Sequence, residues 1–152
     1  MRFGLFHLLR CPEPWSAEQE HTCLWEGIQQ STYAEERGFS TLWLTEHHCI
    51  PAWSMASAPE VLRSAISQRP STIRLGMAVV MSPMHHPLHP AVKIATLDLL
   101  SNGRMDLGLG RATTPLQLAP FGVTMEDTRG RMDEALSRLC QRLRENVGKS
   151  AV

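Results

Sequence analysis

The sequence predicts an α/β fold of parallel strands, and three observations carry the prediction. Apolar strand-like runs alternate with helical stretches in the order β-α-β-α-β-α-β-α, which forces parallel pairing through right-handed crossovers. The run Leu42-Trp43-Leu44 is continuously apolar, as a strand covered on both faces must be. It ends on three ionisable side chains, Glu46-His47-His48, the strand-then-polar-tip layout of a βα active-site edge.

The elements follow in order. Phe3–His7 is a first strand, and the prolines of Cys11-Pro12-Glu13-Pro14 exclude regular structure after it. Ser16, with Gln19 three residues on, resembles a capping box. The helix behind it turns Leu24, Ile28, Tyr33 and Ala34 to one side and stops at Gly38. The second strand is Thr41–Thr45. Ser57 is placed to cap a second helix, with Pro59 in its first turn and Val61, Leu62, Ala65 and Ile66 as its apolar face. Ile73–Met81 is a third strand, followed by a proline-punctuated loop with His85, His86 and His89. A third helix covers Pro90–Leu100, its apolar positions being Val92, Ala95, Leu97 and Leu100, and Asn102-Gly103 ends it. Arg104–Gly110 is the fourth strand, Thr113–Val123 a loop, and Glu126–Glu145 a fourth helix with Met132, Leu136, Leu139 and Leu143 inward.

The 152 residues suffice for one domain with a core. Fifteen basic side chains balance fifteen acidic ones, which removes the electrostatic case for nucleic acid or an anionic membrane as partner. No apolar run approaches the ~20 residues of a membrane span, and the first residues lack the pattern of a signal peptide. Cys11, Cys23, Cys49 and Cys140 are scattered without a CxxC pair, so reduced thiols in a cytoplasmic protein are the simplest account.

Five motifs, in order and with fitting spacing, make the chain resemble the bacterial-luciferase-like, flavin-dependent monooxygenases. They are Phe3-Gly4-Leu5-Phe6; Ala34-Glu35-Glu36-Arg37-Gly38-Phe39 through Trp43-Leu44-Thr45-Glu46-His47-His48; Ile73–Val80 with His85-His86-Pro87; Leu97–Arg104; and Leu107-Gly108-Leu109-Gly110-Arg111. Phe121-Gly122 and Arg129 also fit. The resemblance implies a TIM (β/α)8 barrel binding FMN at the C-terminal ends of its strands. A whole barrel takes ~250 residues, so a partial barrel of about four βα units is expected. Residues 1–140 form this N-terminal half, and 141–152 a divergent tail that suggests truncation.

The resemblance also assigns roles. His47 matches the acid/base histidine, a role suited by an imidazole pKa of ~6.5. Glu46 either orients His47 or stabilises the barrel core, and His48 is structural. Ala78-Val79 matches a non-prolyl cis peptide beneath the flavin ring, and His86 a pocket histidine. Arg111 matches an arginine paired with the FMN phosphate, its planar fork suiting phosphate oxygens; its alternative is a surface salt bridge to Glu126 or Asp127. Gly108 and Gly110 invite a dinucleotide-fingerprint reading, but position 113 is Thr, so the glycines are read as letting a ligand approach the strand end. Ala112 departs from the glycine usual there. No metal is assigned to the histidines, for want of a carboxylate or cysteine at ligand spacing.

The activity so implied is an FMN-dependent oxidoreductase that uses reduced FMN, supplied by NAD(P)H, and O₂ to oxygenate a small-molecule substrate. A deazaflavin in place of FMN stays open. The alternative is a non-catalytic half-barrel that self-associates as a homo-oligomer or pairs with another subunit, because four open strands leave two free edges.

Overall fold

The computed structural model describes residues 1–69 and 72–145. Strands β1 (Gly4–His7), β2 (Thr41–Leu44), β3 (Arg74–Met81) and β4 (Met105–Gly110) form one sheet in the order β1-β2-β3-β4. All three pairings are parallel, with Leu5 opposite Leu42 and Leu42 opposite Leu75. The helices between them are α1 (Ala17–Glu36), α2 (Pro59–Ser67) and α3 (Leu88–Leu100), and α5 (Asp127–Glu145) follows β4. This is the partial barrel: four adjacent βα units, with β1 and β4 each paired on one side only.

Local chemistry sets the boundaries. The Ser16 hydroxyl accepts the Gln19 N–H at 3.2 Å, and Gly38 takes φ +82° just past α1, where a side chain would be strained. Ser57 does not cap α2: the N-cap is Ala58, without a side-chain bond, and Pro59 opens the helix with no N–H to satisfy. The stretch expected as a loop after β4 contains a short helix, α4 (Pro115–Leu118), and a 3₁₀ turn at Ala119–Phe121. Thr114 and Pro115 mark its start, so the signal was in the sequence. The division expected at 140/141 falls inside α5; residues 146–152 and the Leu143 side chain lie outside the described residues.

The core lies between the helices and one face of the sheet, where Ile28, Ala34, Leu42, Ile66, Ile73 and Leu75 pack together. On the other face Trp43 lies over Gly76: a Cβ there would meet the indole at 2.2 Å, so only glycine fits. Six expected inward positions face out instead: Tyr33, with the Arg37 guanidinium over its ring, Val61 and Ala65 on α2, Val92 and Leu100 on α3, and Leu136 on α5. Besides the expected Ile66, α2 buries Arg63, fully enclosed, with Nη2 donating to the Gly76 carbonyl at 2.5 Å.

The rim where the strands begin is tied by two side chains. Arg104 donates to the carbonyls of Ser67, Ile73 and Ser101 at 2.6–3.0 Å. A carboxylate oxygen of Glu35 accepts the N–H of Thr72 and of Ile73 and the Thr72 hydroxyl.

Candidate functional site

Because the strands are parallel and adjacent, the residues following β2, β3 and β4 share the opposite rim. Four of the expected residues sit there: His47 beyond β2, Ala78 and Val79 in the second half of β3, and Arg111 directly after β4. The Ala78–Val79 peptide is cis, and both side chains are half-buried. His86 lies further out, beyond a 3₁₀ turn at Ser82–Met84. It is exposed, its Nδ1 accepts the Leu88 N–H at 3.4 Å, and its ring is 5.7 Å from that of His89. Among the described residues no hydrogen bond joins His47 to His86 or to Arg111.

The centre of this rim is Glu46. Its side chain is 2% exposed, and its Oε1 accepts ring N–H groups from His48 at 2.7 Å and His85 at 2.6 Å. Its Oε2 accepts the Met81 N–H at 2.8 Å. Burial alone would push this carboxyl up, but the His48 and His85 donors together with the Met81 N–H outweigh it and hold the group at about 2. Glu46 therefore does not orient His47; it joins the end of β2 to the end of β3 and the turn after it. The sequence argument against a metal, that no carboxylate accompanies the histidines, fails on geometry. The Glu46, His48 and His85 donor atoms lie within 4.8 Å of one another, each committed to the hydrogen bonds above.

His47 is held instead by α4. Its Nδ1 is 3.3 Å from Oε1 of Gln117, a buried residue that the sequence reading passed over, and the same oxygen accepts the His48 N–H at 3.1 Å. The His47 backbone N–H donates to the Ala56 carbonyl at 3.0 Å, and its ring meets Trp53 edge-on at 6.0 Å. The His48 ring meets Phe121 at 4.9 Å, so the Phe121-Gly122 motif closes over the same cluster.

The glycines of β4 have a packing role. A Cβ on Gly110 would lie 2.1 Å from Val79 Cγ2, and one on Gly108 would lie 2.7 Å from the Met77 carbonyl. They let β4 close on the β3 irregularity between Met77 and Val80. Ala112 takes φ +61°, the left-handed region, which accounts physically for a preference for glycine there. Arg111 is exposed and makes no ion pair among the described residues; Asp127 is engaged by the Thr124 hydroxyl at 2.7 Å. The groove of about 230 Å³ lined by Val61, Val92 and Leu100 lies between α2 and α3, in the helical layer.

Arg111 at one strand end and the Ala78-Val79 peptide on the neighbouring strand thus lie toward the same rim. No described helix is long and apolar enough to cross a membrane. A model of the luciferase-like monooxygenase family matches residues 1–149. The 4-hydroxyprotoasukamycin monooxygenase of Streptomyces nodosus subsp. asukaensis is 35% identical over 113 residues, covering 74% of this chain and 30% of the relative. A monooxygenase from Streptomyces bottropensis has a similar structure, with TM-score 0.84 at 30% identity, over 93% of this chain and 43% of that one. The oxygenating constituent of the 3,6-diketocamphane monooxygenase of Pseudomonas putida, solved in complex with FMN, superposes with TM-score 0.83 at 22% identity, over 91% and 38% of the two chains. The chain thus spans about a third of the length of the curated relatives it matches.

Proposed function

The chain belongs to the luciferase-like monooxygenase family, and from that premise we propose that it carries the N-terminal half of the flavin site of an FMN-dependent oxidoreductase acting on a small molecule with O₂. The observation that carries the reading is the shared rim: His47 follows β2, the Ala78-Val79 ledge lies in the second half of β3, and Arg111, without an ion pair among the described residues, follows β4. Arg111 would hold the flavin phosphate, and Ala78 and Val79 would support the ring. Gly110 would act by letting Val79 sit where it does. His86 would meet the ligand from the outer side, and His47 would take or give a proton at its free ring nitrogen. Bound reduced FMN, replenished from NAD(P)H, would supply the electrons that activate O₂.

Titration with FMN and with a deazaflavin, read by fluorescence quenching, tests the reading. Quenching by FMN that weakens about tenfold or more in Arg111→Ala is expected. No quenching by either compound at tens of micromolar (about the level of weak binding) would overturn it. A second reading, assembly without catalysis, is favoured by the one-sided pairing of β1 and β4 and by exposed Phe3 and Phe6. Light scattering tests it: a monomer at all concentrations refutes self-association.

A further inference from the structure

The backbone N–H of His48 can only donate, so the Gln117 side-chain atom 3.1 Å from it must be the amide oxygen. That contact fixes the orientation of an amide group whose oxygen and nitrogen are otherwise interchangeable. The same oxygen stands 3.3 Å from Nδ1 of His47. An oxygen facing a ring nitrogen needs a hydrogen between them, so in the neutral ring Nδ1 carries the proton and Nε2 keeps its lone pair.

We infer that Gln117 is a positioning residue, which locks His47 in the Nδ1–H tautomer and so presents Nε2 as the proton acceptor toward the rim. Among the described residues Nε2 has no hydrogen-bond partner. The lock is rigid at both ends: Gln117 is 3% exposed, and its own N–H is bonded to the Thr114 carbonyl at 3.0 Å. The His47 backbone is pinned to Ala56. Gln117 touches the same loop twice, at the His47 ring and the His48 backbone, so the tautomer and the loop path are set together. Being neutral, the amide fixes the tautomer without placing a charge beside the ring. The functional meaning of a bare Nε2 rests on the flavin-site reading above; the tautomer itself does not.

The test is nitrogen-15 NMR of the His47 ring, without flavin, at a pH where the ring is neutral. The expected spectrum shows a protonated Nδ1 and a bare Nε2. In Gln117→Met, which has no acceptor, the Nε2–H form that free imidazole favours should grow in, whereas Gln117→Glu should keep the Nδ1–H form. With FMN present, Gln117→Met should lower the rate of NAD(P)H-fed oxygen uptake about tenfold or more while FMN affinity stays unchanged. A wild-type ring protonated at Nε2 overturns the inference, and so does an Nδ1–H ring that Gln117→Met leaves untouched. Should Gln117→Met fail to fold, the wild-type spectrum and Gln117→Glu still decide. A chain with the expected tautomer but no flavin binding sinks the functional reading alone.

Discussion

Replacing Glu46 by Gln should destabilise the fold, and the size of the loss can be worked from its surroundings. The native carboxyl titrates at about 2 against an ordinary value of 4.5. At about 1.4 kcal/mol per pKa unit, that difference is about 3 kcal/mol of stability carried by the charged form at neutral pH. The side chain is 2% exposed, so solvent does not screen it. An amide also brings two hydrogens of its own to a place already supplied with three N–H donors, from His48, His85 and Met81. At least one donor is then left without an acceptor, and the total loss should be about 3–5 kcal/mol. That is a large share of the stability of a domain this size. Urea unfolding of both proteins at neutral pH reads the difference. The pH dependence has a definite sign: the folded value lies below the unfolded one, so stability is complete above 4.5 and drains away as pH falls toward 2. In Glu46→Gln this dependence should be largely gone. Equal midpoints for the two proteins, or a wild-type curve flat across that window, would refute the hub.

Arg63→Met should do the reverse. The guanidinium is fully buried, its Nε and Nη1 lack hydrogen-bond partners among the described residues, and burial holds its pKa down at about 9. The charged form is thus disfavoured on folding, so wild-type stability should rise as pH climbs through 9 toward 12.5, and the apolar variant should be about 1–3 kcal/mol more stable at neutral pH by urea midpoint. Gly110→Ala should cost about 1–3 kcal/mol in thermal or urea unfolding, because its methyl meets Val79 Cγ2 at 2.1 Å. Arg111→Ala, at an exposed position with no ion pair among the described residues, should leave the urea midpoint within about 0.5 kcal/mol while weakening FMN binding.

The strands and four of the five described α-helices were legible because their signals are local: an apolar run such as Leu42-Trp43-Leu44, a Ser-to-Gln cap, a glycine stop. What stayed hidden was long-range. Gln117 is 70 positions from His47, and nothing near a lone glutamine in sequence says that its oxygen faces an imidazole. Glu46 was read against its neighbour His47, yet its partners are His48, two positions on, and His85, 39 positions on. Arg63 was passed over because a hydrophobic-face argument assigns arginine to solvent, and α2 was given Val61 instead, the more exposed of the two. The glycines of β4 were noticed, but their packing partner was not: a missing side chain signals a close neighbour without naming it as Val79.

Arg104 and Glu35 clasp the sheet at the end remote from the histidines. These two clasps and the candidate site thus occupy opposite ends of the sheet. Tags, surface charges or cross-links added near the α1–β2 and α3–β4 turns can be exchanged freely as long as those two clasps survive, without disturbing whatever the histidine pole touches. Remodelling the loops at the histidine pole for a different guest leaves the two clasps in place, but it has to keep Glu46 with its three donors, His48, His85 and Met81.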